Sequence, residues 1–557
     1  MVKSLLKLLD RELSGLHQAA LFLSISALTS QLLGLVRDRL LASAFGVGRT
    51  LDIYYASFRI PDLVYVSVAS LVSVTVLIPF VLTRLADGKE AEAKRFLSGV
   101  VTLFSLMMVL VSVGLYIIIP WLIIRVVPGF TVVDQLTVVE LSRIILISPF
   151  LLGLSNLFAS ITQAYRRFVI YSLSPIFYNL GIIFGILWLY PYRGLSGLAW
   201  GVVLGALLHL VIQLPTITKL GFLPTWRLVN WQEIKPVLVV SLPRTFTLGC
   251  HQLVQVGLVM ITSLLPIGSI AVFTFALNLQ SVPLALIGVS YSVAAFPTLT
   301  ALYTKGSRAE FLSHIGRAAR HIVFWSVPVM VLFMVLRAHI VRVILGAGAF
   351  DWTATRLTAA AVAIFVLSLA AQNLVLLLVR GYYAGGKTKT PLVAAGVMLV
   401  ITSTLAWVLV TAFNTSSSLR LMVESLLRIP EVPGTAVIMI PLAFTIGVTI
   451  QGLLLWQWFR RDFGWVTTGL RRATAESLGA SLIGGVAAYS VLLLIGESIP
   501  LSTTLGVLTQ GLLAGIVGII VIAILLLSIS NQEIVELKRS LTRRRSQETI
   551  VPEVGEL

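Results

Sequence analysis

The chain consists largely of stretches of about 20 mostly apolar residues, the length that a helix needs to cross the hydrocarbon core of a bilayer. Because lipid offers no partners for backbone N–H and C=O groups, such stretches are predicted to be helices. The sequence therefore predicts an all-α, polytopic membrane protein of about 14 transmembrane helices. The predicted spans lie near 17–36, 62–83, 96–120, 137–163, 169–190, 196–217, 236–264, 268–298, 318–345, 354–380, 390–412, 434–458, 473–496 and 504–529.

Composition excludes a large soluble domain. Hydrophobic residues make up 57% of the 557 residues and charged residues only 11%, whereas soluble proteins carry about 25% charged residues. Cys250 is the single cysteine, so neither an intrachain disulfide nor a cysteine-based metal site can form.

The distribution of basic residues predicts the orientation of the chain. If the N-terminus is placed in the cytoplasm, the cytoplasmic segments hold 28 Lys and Arg residues, and the opposite loops from the third span onward hold 7. Lys and Arg collect in cytoplasmic loops, so both termini are predicted to be cytoplasmic. The net charge of +18 indicates contact with anionic head groups or a phosphate-bearing substrate rather than with nucleic acid.

Six basic residues do not fit this pattern. A charge facing lipid at the bilayer centre costs about 2.5–3.5 kcal/mol, so each of these side chains needs a cavity, a partner or a route to the interface. For the cluster at 37–39 and for Arg143, snorkelling at a helix end is one interpretation and a functional role is the other. Arg244 follows Pro243, which opens the helix, and its side chain either lines a cavity or has a structural role. The six residues are Arg37, Arg39, Arg49, Arg59, Arg143 and Arg244.

Several spans contain helix breakers, as in "SLSPIFYN" (172–179) and "QSVPLALIG" (280–288). Discontinuous helices of this kind line the substrate path of many transporters. The sequence contains no Walker loop and no hydrolase or zinc-protease motif. A transporter without its own ATPase, enzymatic activity, metal or cofactor is therefore predicted, driven by the membrane potential, an ion gradient or the substrate gradient.

An ordered series of motifs is similar to one transporter family. The motifs are "GLVRDRLLASAFGVGRTLDIYYASFRIPDL" (34–63), "VPGF" (127–130), "ITQAYRRFVIYSLSPIFYNLGIIFG" (161–185), "FPTL" (296–299), "GAGAFDWTAT" (346–355) and "RGYYAGGKTKTPL" (380–392). Together they resemble the MurJ/MviN family of the MOP transporter superfamily, over about residues 18–530. That family comprises the lipid II flippases of peptidoglycan synthesis, which act in cell-wall biogenesis and cell shape in the bacterial inner membrane.

The resemblance implies an inverted-V bundle around a central cationic cavity. The implied parts are an N-lobe of spans 1–6 (1–217), a C-lobe of spans 7–12 (218–460), spans 13–14 with a lateral groove (461–530) and a basic cytoplasmic tail (531–557). Alternating access in such a bundle carries a pyrophosphate-linked sugar head through the cavity while the polyprenyl tail stays in lipid.

The resemblance also implies site residues. Arg37 and Arg59 match basic positions of the family, the latter in "FRIPD" (58–62), and Arg244 is a further cation in a span. Arginine suits pyrophosphate because its planar fork forms paired hydrogen bonds with phosphate oxygens. Together with Asn278, these residues are predicted to bind the head group. Asp38 and Asp52 are predicted to form ion pairs that rearrange between the inward and outward states.

Some charges usual in the family are absent here. Gln31 replaces an arginine, Tyr65 and Val66 replace an arginine pair, and Leu277 and Asn278 replace an aspartate–arginine pair. Two alternatives to lipid II flipping therefore stay open. One is export of another lipid-linked oligosaccharide, and the other is an inactive scaffold that recruits cell-wall synthesis enzymes. The sequence does not give the oligomeric state or the coupling ion.

Overall fold

The computed structural model describes residues 16–69, 88–165, 167–222, 225–227, 231–430, 432–465, 469–496, 498–501 and 503–536. All regular secondary structure in these ranges is helical, which confirms the predicted all-α class. Two sequence predictions fall largely outside the described residues: the second span beyond residue 69 and the basic tail beyond residue 536.

Twenty-one α-helices are found in the described part of the chain. They are α1 (Leu16–Phe45), α2 (Arg49–Ala56), α3 (Arg59–Val64), α4 (Glu90–Val126), α5 (Val132–Ile145), α6 (Ile147–Ala164), α7 (Phe168–Phe184), α8 (Tyr190–Arg193), α9 (Leu195–Val211), α10 (Leu214–Lys219), α11 (Trp231–Thr262), α12 (Ser269–Leu284), α13 (Ser290–Thr304), α14 (Arg308–Leu345), α15 (Trp352–Leu367), α16 (Leu369–Ala384), α17 (Lys389–Thr415), α18 (Ser417–Leu427), α19 (Met439–Phe463), α20 (Leu470–Ile495) and α21 (Thr504–Ser528).

The described helices provide eleven or twelve membrane spans. Eleven helical segments are long and apolar enough to cross a bilayer, and α15 with α16, bent by 44° at their junction, forms a twelfth if the pair is one span. These segments coincide with the predicted spans from 96–120 onward. The predicted total of 14 is not confirmed. Helix α1 covers the first predicted stretch without being among the eleven, and most of the second predicted stretch is not described.

Two of the prolines in these breaker motifs lie inside helices that continue into π turns. Pro175 lies inside α7, which continues into a π-helical turn, Gly185–Leu189. Pro283 lies inside α12, which continues into a second π turn, Ala285–Val289. Proline removes one backbone donor and displaces the carbonyl of the preceding turn, and the π turn next to Pro283 is one way in which a helix absorbs this. The π turn of α7 does not adjoin Pro175.

The described residues form two compact units. The first consists of the described parts of 1–279, 344–364 and 388–451, and the second of those of 280–343, 365–387 and 452–557.

In the first unit, α7 and α9 pack through facing glycines. A Cβ atom added to Gly201 of α9 would lie 2.5 Å from the Cα of Gly185, which leaves no room for any side chain. Gly181 meets Gly205 in the same way one turn along each helix. Small residues spaced four apart allow the backbones of membrane helices to approach closely, and the gain is van der Waals contact.

In the second unit, α14 packs against α20 and α21. Their shared core contains small side chains on α20 and α21, such as Ala488 and Ala514, facing Leu332 and Leu336 of α14. A separate aromatic cluster joins α14, α16 and α19, where Tyr382 lies edge-on to Phe459, with ring centroids 5.3 Å apart.

The loop at 414–433 forms a short helix, α18. Ser416 caps its N-terminus by accepting a hydrogen bond from the backbone N–H of Leu419, and Arg428 ends it with a left-handed backbone conformation, φ 58°. Glu424 on this helix accepts hydrogen bonds from Arg420 and from the Thr435 hydroxyl. Despite the opposing effect of burial, these two donors lower the pKa of the Glu424 carboxyl.

Candidate functional site

Arg37 and Asp38 form an ion pair near the end of α1. The Nε and Nη2 atoms of Arg37 donate hydrogen bonds to Oδ1 of Asp38 at 3.0 and 2.9 Å. The Asp38 side chain is only 4% exposed, whereas that of Arg37 remains 23% exposed. The carboxylate is therefore enclosed, and the guanidinium still reaches open space.

Two asparagines from distant parts of the chain complete this network. Asn179 of α7 accepts a hydrogen bond from Nη1 of Arg37 at 3.3 Å. Asn278 of α12 donates its amide to Oδ2 of Asp38 at 3.0 Å. Three of the predicted site residues, Arg37, Asp38 and Asn278, are thus joined in one hydrogen-bonded chain.

Asp52 lies on α2, between the first two predicted spans, and caps a different helix. Its Oδ2 and Oδ1 accept hydrogen bonds from the backbone N–H groups of Gly268 and Ala271 at 2.6 and 2.9 Å, at the N-terminus of α12. A carboxylate there satisfies orphan donors and complements the helix dipole. Burial nevertheless raises the pKa of Asp52 to about 6, because the charged form is taken out of water.

The gating role predicted for Asp52 remains a prediction. Within the described residues, its carboxylate has no ion-pair partner within 4 Å. The nearby Arg49 instead pairs with Asp134 at 3.5 Å and stacks 4.5 Å above the Phe130 ring. Arg39 donates to the backbone carbonyl of Ile344 at 3.3 Å. Arg39 and Arg49, two of the six basic residues that do not fit the predicted charge pattern, therefore both have protein partners.

Arg59 is the first residue of α3 and is buried, with 9% of its surface exposed. Its Nε atom is buried without a hydrogen-bond partner among the residues that the structure describes. Asp62, one turn further on the same helix, attracts its charge. A buried guanidinium with an unfilled donor is costly unless a ligand satisfies it, which makes Arg59 a candidate anion-binding residue.

Arg244 lies on α11, partly buried. Helix α11 packs against α3 and against the π turn that follows it, Tyr65–Ala69. The helices that carry Arg59 and Arg244 are therefore neighbours within the first unit.

A cavity of about 280 Å³ beside α3 is lined by polar residues to which the sequence patterns assign no site role. The Tyr65 hydroxyl accepts a hydrogen bond from the Asn156 amide at 2.7 Å, and His209 shares a 2.7 Å hydrogen bond with Ser155. The carboxylate of Asp62 has no hydrogen bond or ion pair among the described residues, although its backbone N–H donates to the carbonyl of Phe58. Its position in "FRIPD" (58–62), an acid beside a proline near a predicted span, is the one sequence signal for this cavity. Its polar and proline lining consists of Pro61, Asp62, Tyr65, Ser148, Pro149, Pro175, Tyr178 and His209.

Comparison with known proteins identifies the family. The family model described as lipid II flippase MurJ matches residues 41–509. The probable lipid II flippase MurJ of Buchnera aphidicola subsp. Acyrthosiphon pisum is 28% identical over 381 residues, covering 67% of this chain and 74% of that protein. The probable lipid II flippase MurJ of Rhizobium tropici is 25% identical over 534 residues, covering 93% and 95% of the two chains.

A solved structure has the same fold. The lipid II flippase MurJ in an inward closed conformation superimposes with a TM-score of 0.71 at 23% identity, covering 92% of this chain and all of that one. Because the family model spans most of the sequence, the resemblance to the MurJ/MviN motifs is confirmed: this chain, a multi-pass helical membrane protein, belongs to the lipid II flippase MurJ family.

Proposed function

We propose that this protein moves a polyprenyl-pyrophosphate-linked peptidoglycan precursor, lipid II, from the inner to the outer leaflet of the bacterial cytoplasmic membrane by alternating access. The observation that carries the proposal is the Arg37–Asp38–Asn278 network in an otherwise apolar bundle. Charged groups are retained within or beside membrane spans where they serve a substrate path. Membership of the MurJ family supplies the substrate class.

Arg37 is suited to bind one phosphate of the head group. Asp38 holds the guanidinium from one side, and the partly exposed side remains available to an incoming anion. Arginine binds phosphate through paired, charge-assisted hydrogen bonds. Arg59, with its unfilled Nε donor, and Arg244 on the adjacent helix supply further positive charge.

Asp38 and Asp52 link substrate binding to movement of α12. Asp52 holds the N-terminus of this helix, and Asp38 holds Asn278, about ten residues or 15 Å further along it. A phosphate that binds Arg37 competes with Asp38 for the guanidinium and so changes the charge balance at one of the two attachments. Two carboxylates from the 37–52 segment would then control α12, consistent with the predicted gating role.

The remaining parts of the proposal follow from the sequence and the family. Both termini face the cytoplasm, the N-lobe and C-lobe (1–217 and 218–460) move about the cavity, and the lateral groove at 461–530 holds the polyprenyl tail. The membrane potential, an ion gradient or the substrate gradient drives transport, since the sequence has no Walker loop. Membrane lipid is the second partner, and cell-wall synthesis enzymes are candidate protein partners.

The proposal is tested by complementation of a strain depleted of its lipid II flippase, with the surface exposure of the precursor as the readout. Wild-type protein should restore exposure, and Arg37→Ala should not, although it reaches the membrane. Arg193→Ala, which changes an exposed arginine at the end of α8, serves as the control and should complement fully. Full complementation by Arg37→Ala would remove this residue from the mechanism.

A binding assay separates the cargo alternatives. Purified protein in nanodiscs should bind lipid II more tightly than other polyprenyl-linked glycans. Preference for another glycan, together with failed complementation by the wild type, would assign a different cargo. A scaffold would instead tolerate Arg37→Ala and lose function when the tail beyond residue 536 is removed.

A further inference from the structure

A second cavity, distant in sequence from the network at Arg37, opens at the surface of the first unit. It has a volume of about 370 Å³ and lies between α4 on one side and α5 with the start of α6 on the other. Its α4 wall extends from Val109 to Ile117, about 12 Å along the helix axis. We call it the α4–α5 groove, and its lining is Val109, Ser112, Val113, Tyr116, Ile117, Arg143, Leu146, Ile147 and Phe150.

The α4 wall of the groove is part of an exposed apolar surface. Val109, Val113 and Ile117 are each more than half exposed, and in a membrane span such side chains face lipid rather than water. Tyr116 and Trp121, in the C-terminal third of α4, are aromatic side chains of the kind found at the membrane interface. The groove therefore runs inward from one interface into the hydrocarbon region.

Arg143 provides the single charge in the groove lining. Its Nε donates to the backbone carbonyl of Tyr116 at 3.1 Å, and its guanidinium carbon lies 4.3 Å from the centre of the Tyr116 ring. These contacts fix the side chain at the groove wall. Among the described residues, the two terminal nitrogens of Arg143 form no hydrogen bond and no carboxylate lies within ion-pair distance of them. A fixed cation with free donors therefore stands beside an apolar channel.

We propose that the α4–α5 groove binds an anionic phospholipid, with one acyl chain in the groove and the phosphate on Arg143. Guanidinium groups bind phosphate oxygens through charge-assisted hydrogen bonds, and one arginine matches the single charge of a phosphodiester. A pyrophosphate carries more charge and matches the several arginines of the transport site better. This lipid site is additional to the proposed flippase activity and does not depend on it.

The chain offers a closely matched control for Arg143. Arg125, on α4, donates to the carbonyl of Trp121 at 2.9 Å and stacks 3.6 Å above its ring. Both arginines thus bond a backbone carbonyl and lie over an aromatic ring. Arg125 does not line the groove, so its removal changes the charge at this end of α4 without changing the site.

Native mass spectrometry of the full-length protein, delipidated and then titrated with lipid, tests the proposal. Phosphatidylglycerol and phosphatidylcholine with identical acyl chains are compared. Wild type should bind phosphatidylglycerol about tenfold more tightly, the effect of one charge-assisted hydrogen-bonded contact. Arg143→Ala should abolish this preference, Arg143→Lys should restore part of it, and Arg125→Ala should leave it unchanged. Ser112→Phe, which fills the groove, should weaken binding of both lipids.

Each contrary result overturns the proposal. Equal binding of the two lipids by wild type would show that the groove does not recognise the charge of the lipid. An equal effect of Arg143→Ala and Arg125→Ala would show that the preference reflects the overall positive charge of this region and not a site at Arg143. If undecaprenyl pyrophosphate displaces phosphatidylglycerol at equimolar concentration, and Arg143→Ala prevents this, the groove holds the isoprenoid and not a phospholipid. Size-exclusion profiles of Ser112→Phe and wild type must coincide, which shows that the variant is folded. If they differ, the proposal is judged from the phosphatidylglycerol preference of Arg143→Lys and Arg143→Ala alone, and equal preferences would overturn it.

Discussion

The side-chain amide of Asn278 lies 3.0 Å from Oδ2 of Asp38, so that α12 is tied to a carboxylate 240 positions earlier in the chain. The other oxygen of the same carboxylate accepts two hydrogen bonds from Arg37. Asp38 thus bonds both Arg37, which is partly exposed, and Asn278 on α12. Asp52 caps the N-terminus of the same helix. Arg37 and Asn278 thus bond the two different oxygens of one carboxylate.

Asn278→Asp is expected to abolish flippase complementation. The substitution places a second carboxylate about 3 Å from Asp38, where both cannot be charged without strong repulsion. Unless one of the two takes up a proton, this repulsion drives the carboxylates apart, and the geometry of Arg37 is lost. The measurement is complementation of the flippase-depleted strain at matched membrane levels of the variant.

Asn278→Ala is the matched control for this prediction. It removes one hydrogen bond to a charged group, about 1.5–3 kcal/mol, without adding charge, so partial complementation is expected. If the aspartate and alanine variants complement equally well, the contact between α12 and Asp38 has no part in transport.

The Asp52 cap predicts a pH-dependent stability. Burial raises the pKa of Asp52 from 3.8 to about 6, so between these values the folded protein binds a proton that the unfolded chain releases. The stability due to this proton is complete below pH 3.8 and is lost as the pH rises through 6. In Asp52→Asn the side chain is neutral at every pH and lacks this dependence.

The difference in unfolding temperature between wild type and Asp52→Asn isolates this one group. As the pH rises from about 4 to about 7, wild type should lose stability relative to the variant, with most of the change below about pH 6.5. Thermal unfolding in detergent, followed by tryptophan fluorescence at closely spaced pH values, measures the difference. Parallel curves for the two proteins would show that Asp52 ionises normally.

The sequence predicts the spans well because their determinant is local. About 20 apolar residues are needed wherever a helix crosses a bilayer, and every predicted stretch from 96–120 onward corresponds to a span or to the bent α15–α16 pair. Arg37 and Asp38 are equally visible in sequence, since two charges beside an apolar stretch demand partners. Among the described residues, the Asp38 carboxylate pairs with Arg37 and also accepts a hydrogen bond from Asn278.

The partners themselves are set by packing between distant segments. Asn179 lies 142 positions from Arg37, and in sequence it is one of several polar residues in apolar spans. Asp62 and His209 share a cavity only because α3, α6, α7 and α9 converge there. For Asp52 the sequence predicts an ion pair, and only the position of the α12 N-terminus shows that backbone N–H groups hold it.

Gly201→Ala is expected to destabilise the first unit by about 1–3 kcal/mol, the usual cost of overpacking. The added methyl would lie 2.5 Å from the Cα of Gly185, so α7 and α9 would have to separate. The loss should appear as a lower unfolding temperature of the purified protein. Gly396→Ala on α17, where an added Cβ has no atom within 4 Å, should have an unchanged or higher unfolding temperature. Equal behaviour of the two variants would contradict close packing of α7 on α9.

Glu533→Ala is expected to destabilise the second unit strongly. Glu533 and Arg320 form an ion pair at 2.9 Å with side-chain exposures of 3% and 10%. Removal of one partner of a buried pair costs about 3–5 kcal/mol, because the other charge stays out of water. Arg472, whose side chain is 74% exposed, pairs with Glu476, and ion pairs with a solvent-exposed partner contribute little. Arg472→Ala should therefore leave the unfolding temperature unchanged, and a similar loss in both variants would argue against burial of the Glu533 pair.

The orientation predicted from basic residues can be tested with single cysteines, because Cys250 is the one native cysteine. In a Cys250→Ser background, Lys305→Cys lies on a predicted cytoplasmic loop and Ser418→Cys on the opposite side, and both positions are exposed. A membrane-impermeant maleimide added to intact spheroplasts should label the cysteine at 418 and not the one at 305, and both should react after the membrane is disrupted. The reverse pattern would invert the protein, with its basic loops outside, and would place the Arg143 end of the α4–α5 groove in the cytoplasmic leaflet. Labelling of both cysteines before disruption would indicate leaky membranes, which a cytoplasmic marker enzyme detects independently.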